Sequence, residues 1–344
     1  MLEFKLGNLQ SSRIKCRRKP ERRSRGESSA LRFVALSLDG SAGCIAVLRV
    51  FMGCTLIIGR DEDLCCRLVR EHLLSLGRQV VYLPEGQLFP GLRFTWELRD
   101  GDSNGTLELA EQTVGFNQID SVLARFSGIA TPPEDFQTKD GQYLSSEWNA
   151  LMRGYVQGLP CPVVNRLGPE LWYRSSLRAP ELSSFVPNLK FRLPRTIVST
   201  SFEDARAFFD LTGGPICYSP LTLSSNYFIT TEKDVQKLEP LSRILPLYLS
   251  EVVPGDPVHA YVVGKHVVFD GAFHLSAAAH CREVADSLGL TFCHLHIVRT
   301  VDDQWYCLGL DCMPYLFECA EQTRNIIVAH LVEILCPGSQ RGSA

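Results

Sequence analysis

Apolar positions from residue 54 onward switch between two spacings. Short continuous apolar runs at 54–58 and 79–83 are typical of buried strands. Between them Leu64, Leu68 and Leu76 recur at helical spacing and a glycine follows, which predicts a helix that ends there. Strand, helix and strand in this order predict a mostly parallel sheet and therefore an α/β fold.

The same pattern continues through an N-terminal α/β domain expected at 52–171. Its remaining predicted elements are a hairpin of 92–98 with 107–114 around a turn at 100–105, a strand at 119–126, a helix at 147–158 and a strand at 163–165. The first strand is not followed by GxGxxG, and GxxxxGK(S/T) occurs nowhere in the sequence. Neither a dinucleotide-binding Rossmann site nor a Walker nucleotide site is therefore predicted.

The second half, 172–335, mixes short strands and helices and predicts a two-part body. Strands are expected at 194–198, 215–218, 226–230, 247–253, 258–263, 266–272, 290–300 and 305–310, and helices at 201–211, 234–244, 276–288 and 321–335. Ser201 suits the N-cap of its helix, with Glu203 and Asp204 in the first turn. We expect a small subdomain at about 191–253, a C-terminal sheet subdomain at about 254–335 and a tail at 336–344.

Composition and charge narrow the class of protein. The chain has 344 residues, 45% of them hydrophobic, and a formal net charge of −3, which predicts a globular protein of about two to three domains. That charge gives no reason to expect nucleic-acid or membrane-surface binding, and no apolar run reaches the ~20 residues of a spanning helix. The 13 cysteines lack zinc-finger spacing and indicate reduced, buried thiols in a cytoplasmic protein, with a metal or redox role as the minor alternative.

Residues 1–51 differ from the rest of the chain. The basic run RIKCRRKPERRSR at 13–25 predicts a solvated, disordered leader. A transit peptide is a second interpretation, which Glu3, Glu21 and Glu27 weaken. We favour a third, in which the natural chain begins at Met52, because the first predicted strand follows directly.

Several short segments occur in an order that resembles the ATP-grasp superfamily. They are PVVN at 162–165, APEL at 179–182, FRLPRT at 191–196, YSPL at 218–221, LSEVVPGDPVHAYVVG at 249–264 and DDQWYCLGLDCMP at 302–314. More closely, the sequence resembles the ligases that macrocyclise ribosomal peptides, the microviridin type. The resemblance implies an ATP-grasp fold behind an N-terminal α/β domain, with a cleft between the small subdomain and the C-terminal sheet.

Enzymes of this superfamily phosphorylate a carboxylate with ATP, and an amine or hydroxyl then attacks the acyl phosphate. The resemblance therefore implies ATP and Mg²⁺ as cofactors and a peptide or small carboxylate as substrate. In the family two lysines bind the phosphates, a set of Glu, Asp and Asn side chains holds the metal, and an arginine stabilises the transferred group. All of these tasks are electrostatic.

This sequence departs from the family at most of those positions. Ala179 and Ser219 stand where the lysines are expected, His259 replaces the arginine, and His296, Gly309 and Asp311 replace the metal set. Arg178 beside the first position could substitute for its lysine, because a guanidinium binds phosphate well. Asp311 alone is a weak site for Mg²⁺.

The predicted site follows from these matches. It consists of catalytic residues His259 and Arg178, cofactor-binding residues Ala179, Tyr218, Ser219, Glu251, Val252 and Val253, and metal ligands Asp311 and His296. His294 and His296 share one strand face, as paired ligands or, more commonly, as ordinary sheet histidines. Glu251 either contacts adenine or ribose or simply ends its strand.

Three functions remain open from the sequence. The first is an ATP-dependent carboxylate–amine or carboxylate–hydroxyl ligase with a remodelled site. The second is a degenerate ligase that keeps the fold to bind a peptide or partner protein without turnover, and the loss of charge favours it. The third is a nucleotide-binding regulator.

Overall fold

The computed structural model describes residues 53–87, 91–100, 102–109, 112–125, 139–168, 171–172, 175–221 and 225–336. These residues belong to the unit that spans Val50–Ala344. The expectations for the leader at 1–51, for a start at Met52 and for most of the tail lie outside the described residues.

Strands and helices are numbered here in chain order. The strands are β1 (Cys54–Gly59), β2 (Gln79–Pro84), β3 (Arg93–Arg99), β4 (Asp102–Leu109), β5 (Gln112–Gly115), β6 (Ile119–Arg125), β7 (Val163–Val164), β8 (Ser176–Leu177), β9 (Thr196–Ser199), β10 (Ile216–Ser219), β11 (Tyr227–Ile229), β12 (Leu247–Glu251), β13 (Asp256–Val263), β14 (His266–Phe269), β15 (Phe292–Arg299) and β16 (Trp305–Asp311). The helices are α1 (Leu64–Ser75), α2 (Lys139–Gly158), α3 (Ala179–Phe185), α4 (Phe202–Thr212), α5 (Glu232–Gln236), α6 (Leu238–Ser242), α7 (Leu275–Ser287) and α8 (Glu321–Leu335).

The N-terminal sheet has the strand order β2-β1-β6-β7, and its pairings are parallel. This confirms the predicted α/β arrangement. Helix α1 begins after Asp63, whose carboxylate accepts the backbone N–H groups of Cys65 and Cys66, a typical N-cap. The chain leaves this helix through Gly77, at a φ of 71° that glycine adopts without strain.

Two predicted boundaries in this half are wrong. The turn expected at 100–105 is much tighter, because Arg99 already pairs with Asp102. The strands β3, β4 and β5 form an antiparallel sheet. Helix α2 begins at Lys139, not at residue 147. The early turns of α2 are polar and largely exposed, so they lack the apolar spacing by which a helix is recognised.

The small sheet has the order β11-β10-β12-β9, and α4, α5 and α6 pack against it around Ala205, Phe208 and Leu249. Ser201 caps α4 as predicted, its hydroxyl accepting the N–H of Asp204. The single helix expected at 234–244 is instead α5 and α6. Pro240 explains the break, because its ring removes a backbone donor and allows only the first turn of a new helix.

The C-terminal sheet has the order β14-β13-β15-β16-β8 and is antiparallel throughout. One face of this sheet packs against α3 and α7 through residues such as Ala260, Leu295 and Leu310. On the opposite face, Tyr261 and Phe292 belong to a buried cluster with residues of α8 and of α1 in the N-terminal half. This second face also holds the candidate site.

Three further predictions are corrected here. Strand β12 ends at Glu251, so Val252 and Val253 lie outside it, and β13 begins at Asp256, two residues before the strand predicted at 258–263. At the turn, Gly255 approaches the Arg299 carbonyl oxygen so closely that a Cβ would lie 2.3 Å from it. Strand β8 and helix α3 have no counterpart among the predicted elements.

The described cysteines are free thiols, and all of them except Cys161 are buried. This agrees with the prediction of small hydrophobic residues in the core. Across the part of the chain that the structure describes, no helix combines the length and apolarity needed to cross a bilayer.

Candidate functional site

Three histidines meet on one face of the C-terminal sheet. His259 on β13 lies directly opposite His296 on β15, and His294 lies two residues before His296 on the same face. His259 Nδ1 is 3.0 Å from His294 Nε2. Each ring offers one nitrogen, and these nitrogens lie within 4.8 Å of one another. We call His259, His294 and His296 the histidine cluster.

Asp311 on β16 completes the arrangement. It pairs with His294 across the strands, and its Oδ2 lies 2.7 Å from His296 Nε2 and 3.8 Å from His294 Nδ1. The structure therefore brings together three predicted site residues, His259, His296 and Asp311. It adds His294, which the sequence indicated only through its spacing of two from His296.

Burial sets the protonation of these rings. The His294 side chain is 1% exposed and stacks on the Tyr261 ring at a centroid distance of 4.2 Å. Desolvation, then the neighbouring His296 and His259, lower the pKa of His294 to about 2. Desolvation and His296 also lower the pKa of His259. Both rings are thus neutral at pH 7 and keep a lone pair for a ligand.

The two residues predicted to stand at the family's lysine positions are buried and neutral. Ala179 begins α3 with 4% exposure, and Ser219 ends β10 with 1% exposure. The Ser219 hydroxyl donates to Asn226 Oδ1 at 2.6 Å. Neither residue can neutralise a phosphate.

Arg178 links the two halves of the predicted site. Strand β8 pairs with β16 through Ser176 and Asp311, and Arg178 follows directly. Its guanidinium carbon lies 5.4 Å from the centre of the Tyr248 ring on β12, and its Nη2 donates to the Pro220 carbonyl at 3.5 Å. The chain near the histidine cluster thus contacts the small sheet through this cation.

Glu251 and Val252, two of the predicted cofactor-binding residues, form hydrogen bonds with neighbouring backbone groups. Glu251 Oε1 accepts the backbone N–H of Arg195 at 2.9 Å, and the Glu251 N–H donates to the Arg195 carbonyl at 2.9 Å. The Val252 N–H donates to the Pro215 carbonyl at 3.2 Å. The buried Tyr218 ring stacks on Tyr227 at 5.9 Å. Contact of Glu251, Val252, Val253 or Tyr218 with a nucleotide stays a prediction.

The residues predicted at the metal position and at the two lysine positions do not fit Mg·ATP. Mg²⁺ takes an octahedron of oxygen ligands and avoids nitrogen, whereas the corresponding positions offer one carboxylate among the imidazoles of the histidine cluster. ATP phosphates need cationic partners, whereas Ala179 and Ser219 supply none.

The arrangement of the sheets defines the class of protein. A parallel N-terminal sheet followed by a small antiparallel sheet with its helices and a larger antiparallel sheet is the ATP-grasp fold, as the sequence predicts. The chain therefore has the ATP-grasp fold.

Solved structures of peptide-modifying ligases have the same fold. The macrocyclase MdnC bound with precursor peptide MdnA, from Microcystis aeruginosa, has a TM-score of 0.68 at 14% identity and covers 82% of this chain and 99% of its own. A RiPP-associated ATP-grasp ligase from Chryseobacterium gregarium, in complex with ADP and a leader and core peptide, has a TM-score of 0.64 at 15% identity, with coverages of 83% and 97%. The ligase PsnB, complexed with a precursor variant, Mg and ADP, has a TM-score of 0.63 at 17% identity, with coverages of 82% and 98%.

Sequence comparison gives no such match. No protein-family model matches the chain, and no curated protein matches it. At identities of 14–17%, the structural similarity to the ligases above establishes the fold alone. The activity has to be argued from the site.

Proposed function

We propose that this protein uses the ATP-grasp fold to bind a peptide and does not transfer phosphoryl groups from ATP. The observation that carries the proposal is that Ala179 and Ser219, which the sequence resemblance assigns to the two phosphate-binding positions, are buried and neutral. A hydrogen bond to a charged group contributes about 1.5–3 kcal/mol. Without a lysine at either position, bound ATP lacks two such contacts in the ground state. The transition state lacks the larger stabilisation that the same charges would provide.

A peptide is the ligand class that the comparisons favour. MdnC was solved with a precursor peptide, and the Chryseobacterium ligase with leader and core peptides. Binding a peptide needs complementary surface and backbone partners but no phosphate or metal charge. Loss of the lysines therefore leaves this part of the ligase function unaffected.

Arg178 supports a second candidate, an ATP-dependent ligase with a remodelled site. Its guanidinium neighbours the first lysine position, and guanidinium recognises phosphate oxygens in pairs. PsnB was solved with Mg and ADP, so a nucleotide is the cofactor class to test.

Mg·ATP is expected to leave the melting temperature unchanged. A ligand at one hundred times its Kd stabilises the folded state by about 2.7 kcal/mol, an easily measured shift in a thermal melt. A rise that Asp311→Ala abolishes would favour the remodelled ligase. Equal stabilisation by ADP without metal would favour a nucleotide-binding regulator.

Restoring the lysines should restore nucleotide affinity. We expect the Ala179→Lys, Ser219→Lys double variant to bind a non-hydrolysable ATP analogue at least about tenfold more tightly, a change of ~1.4 kcal/mol. Two charge-assisted contacts contribute about 3–6 kcal/mol together, so the tenfold threshold leaves room for desolvation and rotamer losses. Isothermal titration calorimetry measures the difference.

A matched control carries the same added charge elsewhere. Ser184→Lys with Ser287→Lys places two lysines on exposed helix positions and should leave ATP affinity unchanged. Tighter binding by both double variants would indicate a general charge effect. Unchanged affinity in a folded Ala179→Lys, Ser219→Lys protein would show that these are not the phosphate positions.

Peptide binding has its own test. Short peptides encoded beside the gene, carrying a fluorescent label, should give a saturable rise in anisotropy that added Mg·ATP leaves unchanged. Absence of binding, together with measurable ATP turnover, would contradict the proposal.

A further inference from the structure

The histidine cluster matches a metal chemistry other than that of Mg²⁺. We infer that His259, His294 and His296 form a site for a divalent transition-metal ion of the Zn²⁺ type. This inference goes beyond the proposed function, because a metal held by imidazoles can be present whether or not a peptide or nucleotide binds.

The ligand set indicates the ion. Imidazole nitrogen suits Zn²⁺, Co²⁺, Ni²⁺ and Cu²⁺, whereas Mg²⁺ and Ca²⁺ require oxygen. Sites with three protein ligands leave a further coordination position for water or an added ligand. The His296 side chain is 33% exposed and His294 is buried, so that open position would face solvent on the His296 side.

One nitrogen–nitrogen distance in the histidine cluster already suits such an ion, and its three nitrogens lie within 4.8 Å of one another. Zn–N bonds of about 2.0–2.1 Å place two ligand nitrogens roughly 3.3 Å apart in a tetrahedral site. The 3.0 Å between His259 Nδ1 and His294 Nε2 is close to that value. Because His259 and His296 are directly paired by the β13–β15 ladder, the ligands stand on rigid elements.

Ring orientation also permits convergence. The lone pairs of imidazole lie in the ring plane, so two rings stacked face to face cannot both direct a lone pair at one ion, whereas inclined rings can. The planes of His259 and His294 differ by 32°, those of His294 and His296 by 49°, and those of His259 and His296 by 78°. No two of these rings are parallel.

Asp311 supplies the outer partner that metal-bound histidines usually have. Its contact with His296 Nε2 at 2.7 Å can fix the tautomer that keeps the lone pair on Nδ1, and such carboxylates increase metal affinity. Asp311 is therefore a positioning residue for the site.

A second group of side chains of the types that ligate metals provides a control. His266, His330 and Glu333 lie close together between β14 and α8. The rings of His266 and His330 are stacked, with centroids 3.8 Å apart and planes only 9° apart. Their lone pairs lie in parallel planes and do not converge, so we expect this group to bind metal weakly or not at all.

The alternative is a purely structural role for the histidine cluster. A single proton shared between His259 and His294 satisfies both facing nitrogens without any ion. In that case the cluster is an ordinary buried polar group, and removal of its members changes stability and leaves metal affinity as it was.

Metal titration of the full chain distinguishes these cases. After treatment with a chelator, the protein should take up one tight equivalent of Zn²⁺ by calorimetry, and Co²⁺ should give the visible d–d absorption of a low-coordinate nitrogen site. Millimolar Mg²⁺ should compete with neither. His259→Gln and His296→Gln should abolish the tight equivalent, and Asp311→Asn should weaken it about 10–100-fold.

Controls separate the site from folding and from the other histidines. Both glutamine variants change partly exposed side chains, and circular dichroism checks that they remain folded. His330→Ala should bind Zn²⁺ as the parent does. Retention of the tight equivalent in both glutamine variants, its loss in His330→Ala, or its absence from the parent would each overturn the inference. The titration contains no nucleotide or peptide, so its failure is independent of the proposed function.

Discussion

Replacement of Asp63 by alanine is expected to lower the free energy of unfolding by about 4 kcal/mol. Asp63 Oδ2 accepts from Arg125 Nε at 2.8 Å, and only 4% of the Arg125 side chain is exposed. The same guanidinium donates through Nη2 to the Pro314 carbonyl at 2.8 Å. Without Asp63 a buried charge loses its counterion, which costs about 3–5 kcal/mol.

Asp63 also caps α1, and a second variant separates the two roles. Loss of an N-cap costs about 1 kcal/mol. Asn is as good an N-cap as Asp but carries no charge, so Asp63→Asn should retain the cap and lose most of the ion-pair contribution. Denaturant unfolding followed by circular dichroism measures all three proteins.

Glu62 provides the control for surface charge. It faces Arg60 at 3.8 Å, and both side chains are mostly exposed. Such pairs contribute about 0–1 kcal/mol, so Glu62→Ala should unfold nearly as the parent does. A loss below about 1 kcal/mol in Asp63→Ala would show that Arg125 finds another partner or water on losing this one.

Asn165→Ala should lower the free energy of unfolding by about 3 kcal/mol or more. Asn165 is 5% exposed. Its Oδ1 accepts the N–H groups of Thr291 at 2.9 Å and Phe292 at 2.7 Å, and its Nδ2 donates to the carbonyls of Phe292 and Cys312, the latter at 2.7 Å. Alanine leaves these backbone groups buried without the partner, each at a cost of about 1–3 kcal/mol.

The matched control is Asn325→Ala, an exposed position on α8. Alanine is the best helix former, so this change should be neutral or slightly stabilising. The same denaturant experiment compares both variants. Equal unfolding midpoints for the two would mean that water replaces the amide of Asn165, and that this side chain does not connect the N-terminal half to β15.

The elements that the sequence predicted correctly are those whose signals lie within a few neighbouring residues. The run at 54–58, the helical spacing that follows it and Gly77 correctly predicted β1 and α1. Ser201 correctly marked the beginning of α4. Strand pleating, helix capping and glycine conformations depend on residues a few positions apart, which is why these predictions succeed.

The incorrect predictions involve features that the spacing of hydrophobic residues does not show. Strand β8 contains two residues and forms because β16 lies beside it. Polar residues begin α2 without an apolar stripe, and Pro240 divides a helix that hydrophobic spacing alone would continue. Tertiary pairing or a single steric exclusion decides each case, and neither is visible in hydrophobic spacing.

By itself the sequence determined the ATP-grasp order of segments, the absence of lysines at residues 179 and 219, and the equal spacing that puts His294 and His296 on one face. Only the tertiary structure decided that His259 lies opposite His296 and that Asp311 on β16 reaches the same pair. The physical reason is register: a shift of one residue in either pairing turns every side chain to the other face. The register here depends on hairpin geometry and on an irregularity between His296 and Ile297.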